Sequence, residues 1–337
     1  MLDKPDLPDA RLIASLADAY GLRAAQLAFL PLGADVNTAV YRVEAADSRA
    51  YFLKLRRGAF DDLSVALPAF LATRGLVAVI APLPTLDRQF ASRLDPFTLA
   101  LYPFVDGVDG YQAELSEAQW ITLGDTLKRL HAVRLPPAIR RALPREDYSP
   151  RYRQRVQAFL GRAPGTHFDD PLAVELVALL LAQAASINRL LAAAHALARL
   201  LPDVAPALVL CHADLHNGNV LLSRAGALHV VDWDTALLAP QEHDLMFVGS
   251  GLLGSAGHET QEAAWFYQGY GPAEINPAAV AYYRCERIVQ DIDAFIQEIL
   301  GKSGPGQDRQ QSLRYLISQF QPGNVVEIAL RSYAAIA

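Results

Sequence analysis

The chain has 337 residues, 52% hydrophobic and 20% charged, enough apolar material for a real core in one large domain or two ordinary ones, and disorder as the dominant state is excluded. Thirty Lys and Arg against 36 Asp and Glu leave a formal charge of −6. That balance argues against nucleic acid as the main partner and is compatible with a cationic small molecule. Two cysteines, Cys211 and Cys285, make no disulfide framework, so a reducing cytoplasm is the expected location. The acidic, proline-broken start from Met1 to Asp6 does not read as a signal peptide. The apolar stretches 176–185 and 190–201 are interrupted or flanked by Glu175, Gln183, Asn188, Arg189 and His195, so no membrane span is expected.

In chain order, Asp9 can cap a helix running to Tyr20, with Gly21 as its left-handed stop. Apolar segments of strand length follow at 27–33, 38–45, 50–55, 77–81 and 97–104, with a helix at 62–73 between the third and fourth. Beyond Phe104 the pattern turns helical. Ser116 and Gln119 form a capping box before Trp120, Leu123, Leu127 and Leu130, and Asp170-Pro171 opens a long Ala/Leu helix that Pro202 halts. Short β-runs return at 208–211, 220–222 and 228–231, the last two joined by the Arg224-Ala225-Gly226 turn. Helices are expected at 277–300 and 325–334. The fold class is α+β: a small β-rich lobe at 1–101, a hinge at 102–106 and a larger, mainly helical lobe at 107–337.

The most informative stretch is Cys211-His212-Ala213-Asp214-Leu215-His216-Asn217-Gly218-Asn219, which matches the catalytic-loop pattern His-x-Asp-Leu-x-x-x-Asn of kinases. Asp232 follows thirteen residues after Asn219, at the end of an apolar run. An ionised Asp214 can orient an acceptor hydroxyl and take its proton, while Asn219 and Asp232 offer oxygens to Mg²⁺. Upstream, Lys54 lies alone in the apolar strand Tyr51-Phe52-Leu53-Lys54-Leu55, where a phosphate-holding lysine belongs. Gly33 and Asn37 lie in the turn between the first two strands, which can fold over the phosphates but with one glycine is not a glycine-rich loop. Tyr102, Pro103, Phe104 and Val105 can hold an adenine with backbone and apolar groups.

A rival reading is a metal-dependent hydrolase, because His212, Asp214 and His216 alternate and on an extended strand would face one side as zinc ligands. A non-catalytic nucleotide-binding module is a third, against which the joint presence of Asp214, Asn219 and Asp232 argues. For a cationic acceptor the candidate contacts are Asp234 with Trp233 beside it, and Glu286 and Asp291 on a helix where Arg284 and Arg287 could equally pair with them.

Taken together, these motifs resemble the aminoglycoside phosphotransferase and choline kinase superfamily. Segments 32–41, 102–104, 211–221, 232–234, 244–249, 286–292 and 324–329 resemble its spectinomycin-phosphorylating branch. The resemblance implies a bilobal protein-kinase-like fold and an ATP- and Mg²⁺-dependent phosphotransferase. Its acceptor would be a small cationic molecule, an aminocyclitol or aminoglycoside such as spectinomycin, with choline, homoserine or a ketosamine as the alternative. It also implies Asp214 as base, Asn219 and Asp232 at the metal, Lys54 on the nucleotide phosphates and Asp244 as a structural support of the loop. Ala213 stands where protein kinases carry Arg, and Asp232-Trp233-Asp234 is followed within a few residues by Ala239-Pro240. That leaves no room for an activation loop, and no protein substrate is expected. With no Glu between Glu44 and Glu114, Asp62 or Asp61 would have to serve as the partner of Lys54, or the pair is absent.

Overall fold

The computed structural model describes residues 2–33, 35, 37–204, 207–250, 253–254, 257–301 and 306–336, so Ala34 and Val36 of the turn between the first two strands lie outside the described residues. The first helix, α1 (Asp9–Tyr20), ends on Gly21 at φ 64°. There the Gly21 N–H donates to the Ala17 carbonyl and the Leu22 N–H to that of Leu16, closing the last turn. Pro8, not Asp9, is the N-cap; Asp9 sits in the first turn and pairs with Lys4 at 2.8 Å.

Next come β1 (Ala24–Leu30), β2 (Thr38–Ala45), β3 (Ala50–Arg57), α2 (Leu63–Thr73), β4 (Ser92–Leu94), β5 (Phe97–Pro103) and β6 (Gly107–Asp109). The first five strands form one antiparallel sheet in the order β1-β2-β3-β5-β4. The strand expected at 77–81 does not form. Val79 makes a single bridge to Val230, Val77 is 82% exposed, and Pro82 and Pro84 withhold ladder N–H groups just beyond. The short β4 takes the edge position instead.

Alternation along the strands decides which face Lys54 occupies. Ala39, Tyr41 and Val43 of β2, Leu53 and Leu55 of β3, and Phe97, Leu99 and Leu101 of β5 join Leu12 and Leu16 in one buried core. Tyr41, Leu53 and Leu101 are in register, as are Ala39, Leu55 and Leu99, so Lys54, between Val40 and Ala100, is set on the opposite face of the sheet.

The chain continues with α3 (Glu117–His131), whose capping box forms as the sequence predicts, then α4 (Pro137–Ala142), α5 (Arg151–Arg162), α6 (Pro171–Ala182) and α7 (Ala184–Leu200). The single Ala/Leu helix expected from Asp170 is two helices bent by 68°, because Gln183 leaves helical geometry at φ −96°, ψ 7°. Each half buries its own apolar residues, a partition that a uniform Ala/Leu composition does not encode. After β7 (Val209–Cys211), β8 (Val220–Ser223), β9 (Leu228–Val230) and β10 (Leu237–Ala239) come α8 (Glu242–Leu245), α9 (Glu259–Tyr270), α10 (Pro277–Gly301), α11 (Gln307–Gln319) and α12 (Val325–Ala334). No single helix among the described residues is long and apolar enough to cross a membrane.

Two compact units result. The first comprises residues 1–143, 214–236 and 268–270, and the second 144–213, 237–267 and 271–337. The segment 102–106, expected as a hinge, lies inside the first unit, together with the large sheet and the small sheet β6-β8-β9. In the second unit β7 pairs with β10, and α10 packs on α5, α7, α11 and α12.

Candidate active site

Within the first unit, Lys54 meets two acids from 178 and 180 residues further along the chain. Its Nζ lies 3.0 Å from Asp232 Oδ1 and 2.9 Å from Asp234 Oδ2. Asp232 follows β9 with a left-handed φ of 65°, a conformation disfavoured for a side chain with a Cβ, and such strain concentrates where function holds a residue in place. Burial by itself would lower the Lys54 pKa, but the Asp232 and Asp234 carboxylates outweigh it and hold the ammonium well above the ordinary lysine value. Tyr102, beside them, is pushed far up by burial. The partner of Lys54 is thus not Asp62, which occupies the N-cap position of α2, nor Asp61, whose carboxylate accepts the Leu63 N–H at 2.9 Å. Two acids already satisfy the cation.

The catalytic-loop motif begins in the second unit. Its strand β7 ends at Cys211, and Ala213 takes a left-handed φ of 71°. The fully buried Asp244 carboxylate accepts the His212 N–H at 2.9 Å and the Ala213 N–H at 2.7 Å, two charge-assisted bonds that hold the strained turn. That turn breaks the extended geometry on which a zinc triad of His212, Asp214 and His216 depended.

From Asp214 onward the motif belongs to the first unit. The Asn219 side-chain amide donates to the Asp214 carbonyl at 2.8 Å, which leaves its oxygen as the atom available to a cation. His216 Nδ1 accepts the Gly218 N–H at 3.0 Å, and its Nε2 lies 3.7 Å from Asp214 Oδ1. Strand β9 is tied back to the loop by the Val231 N–H, which donates to the Asn219 carbonyl at 3.0 Å.

The other residues singled out from sequence fall as follows. Gly33 and Asn37 are exposed at the β1–β2 turn, Gly33 with φ 85°. Asp35, which sequence reading passed over, organises this turn: its carboxylate accepts from the Asn37 N–H and the Thr38 hydroxyl, and ion-pairs with Arg56 of β3. An Asx-turn pattern of Asp followed by Asn-Thr was the available signal. Tyr102 and Pro103 close β5, with the Phe104 ring under the Arg42 guanidinium at 5.0 Å and Val105 half-buried beyond it. Trp233 is buried and its indole N–H donates to the Val230 carbonyl at 3.3 Å. In the second unit, Glu286 is buried against Arg153 at 2.5 Å, and Asp291 is bonded by Arg287 and Gln319. Burial pushes the Glu286 pKa up to about 7, against the pull of Arg153.

A model of the APH phosphotransferase enzyme family matches residues 28–283. The chain belongs to this phosphotransferase family. Among solved structures, spectinomycin phosphotransferase APH(9)-Ia in complex with ADP and spectinomycin is 34% identical, with 98% of this chain and 99% of that one covered and a TM-score of 0.89. The AMP-bound complex of the same enzyme is 32% identical, with coverage of 95% and 97% and a TM-score of 0.83. An aminoglycoside phosphotransferase from Alicyclobacillus acidocaldarius, 14% identical with coverage of 99% and 97%, shares the fold at a TM-score of 0.60. No curated protein sequence matches the chain. The fold is therefore the kinase-like α+β fold of this family, and the protein is a small-molecule phosphotransferase.

Proposed function

We propose that the protein transfers the γ-phosphoryl group of ATP to a hydroxyl of a small cationic acceptor, foremost an aminocyclitol such as spectinomycin, with Mg²⁺ as the metal. The observation that carries this reading is the convergence of Lys54 with Asp232. A buried-side cation facing a half-exposed carboxylate suits a site that must receive a phosphate chain and its counter-ion together. The similarity to a spectinomycin phosphotransferase supports the acceptor class.

In the transfer, the acceptor oxygen bonds to the γ-phosphorus as the bond to the ADP oxygen breaks, and Asp214 takes the hydroxyl proton. Lys54 gives up its carboxylate partners for phosphate oxygens. Asn219, by binding the Asp214 carbonyl, keeps the base in register, and Asp244 holds the turn before it. Asp232 and the Asn219 oxygen are hard oxygen donors that fit Mg²⁺, which when bound neutralises phosphate charge. Gly33 and Asn37 would cover the phosphates, and the backbone of 102–105 would hold the adenine. Asp234, with Trp233 as an apolar neighbour, is the acid assigned to the acceptor side: it is bound to Lys54 here and is released when Lys54 turns to the phosphates, whereas Glu286 and Asp291 stay committed to Arg153, Arg287 and Gln319.

The test is a mass-shift assay with ATP, Mg²⁺ and a panel of aminocyclitols, aminoglycosides, choline and homoserine. Spectinomycin gaining one phosphate is the expected result. Phosphorylation of choline or homoserine alone replaces the acceptor, and stoichiometric zinc with indifference to Mg²⁺ replaces the reaction. Asp214→Ala should cut turnover by roughly two to four powers of ten while leaving ATP binding nearly unchanged.

A further inference from the structure

The short strand β6 is a strap that ends beside the catalytic loop, within the first unit. It pairs with β8, the strand that leaves the loop, and Gly107 fits there because a Cβ would lie 2.1 Å from the Leu222 carbonyl oxygen. The Gly110 N–H donates to the carbonyls of Asn217 at 2.9 Å and Val220 at 3.0 Å, and the Asp109 carboxylate accepts the Tyr111 N–H at 3.0 Å and the Gln112 N–H at 3.2 Å. These contacts fix the position of Tyr111. Its ring stacks on His216, centroids 6.0 Å apart and planes 28° apart. His216 in turn lies 3.7 Å from the Asp214 carboxylate. Exposure rises along this line, from 18% for the Asp214 side chain to 31% for His216 and 68% for Tyr111. A large aromatic ring is thus held in water next to the catalytic loop by a backbone that specifies its place, although the core makes little use of it.

We propose that Tyr111 is an acceptor-contacting residue that sets acceptor size. This rests on the reading of Asp214 as the group that binds the acceptor hydroxyl. A molecule anchored there by its hydroxyl passes His216 before it meets the Tyr111 ring. On this proposal an acceptor large enough to extend past His216, such as a fused-ring aminocyclitol, touches the ring, and a two-carbon amino alcohol does not. The ring face then receives the C–H face or an ammonium group of the acceptor, contacts that need the aromatic surface and not the phenol hydroxyl.

The test compares wild type, Tyr111→Ala and Tyr111→Phe for the KM of a ring acceptor, of a short amino alcohol and of ATP, together with ATP hydrolysis in the absence of acceptor. Tyr111→Ala should raise the KM of the ring acceptor about tenfold, the effect of one lost cation–π or stacking contact. It should leave the other three quantities within about twofold, and Tyr111→Phe should behave as wild type. An unchanged KM for a ring acceptor that the enzyme phosphorylates overturns this proposal alone. So does acceptor-free hydrolysis falling in step with transfer, which would make Tyr111 a prop for the loop. So does Tyr111→Phe being as impaired as Tyr111→Ala. A wild-type enzyme that phosphorylates only amino alcohols overturns the proposed acceptor and the Tyr111 assignment together.

Discussion

At the scale of single residues, Lys54 and Asp244 are both satisfied by charge-assisted bonds, but they serve different ends. Lys54 is paired with two partly exposed carboxylates, which on the proposed function a nucleotide displaces, while Asp244 is sealed in and holds backbone. Lys54→Met should therefore weaken ATP binding by about ten- to a hundredfold, the loss of one or two charge-assisted bonds, and this is read from the KM for ATP. Asp244→Ala leaves two buried N–H groups without an acceptor, next to a left-handed Ala213. It should lower stability by about 1–3 kcal/mol per orphaned group in a denaturant titration, with turnover falling in parallel. The types of these residues were legible in the motifs. The role of Asp244 under the loop followed from the family resemblance, but the partners of Lys54 were not legible, because Asp232 reaches Lys54 only through a strained turn after β9, and one sequence gives no signal for that φ.

Among the elements, close approach decides what a position tolerates. Gly269, in the last turn of α9, would place a Cβ 1.9 Å from the Ile121 carbonyl of α3, whereas a Cβ at Gly161 in α5 meets nothing within 4 Å. The same substitution should then have opposite signs. Gly269→Ala should destabilise by about 1–3 kcal/mol through overpacking, and Gly161→Ala should stabilise by about 0.5–1 kcal/mol through helix propensity; thermal melts of both variants test the pair. Elements bounded by local chemistry were readable: Gly21 stops α1, and Ser116 with Gln119 opens α3. The reading failed at the bend between α6 and α7, which packing decides, and at 77–81, where apolar composition outweighed the local signal of Pro82 and Pro84.

For the molecule as a whole, the buried Arg153–Glu286 pair gives stability a pH dependence. The Glu286 pKa in the folded protein is raised to about 7, above the ordinary carboxylate value, so the folded chain binds this proton more tightly than the unfolded chain does. The stability this contributes is complete below the unfolded pKa and is lost as pH rises through about 7. Glu286→Gln removes the titration. Unfolding free energies measured from pH 5 to 8 should show wild type losing up to about 3 kcal/mol relative to the variant, and parallel curves would refute the linkage.

By itself the sequence determined the α+β class, the family and the residue types of the site, because alternation, caps and the motif from His212 to Asn219 are local patterns that one-dimensional reading detects. It also placed Lys54 in a strand, and alternation then put it off the core face. Only the tertiary structure decided which acids meet that lysine, that Glu286 is bound to Arg153, and that Tyr111 lies on His216. The physical reason is common to all three. Each contact joins residues more than a hundred positions apart, and its free energy depends on burial and on which competing partner is nearer, neither of which leaves a periodic or local trace in the chain.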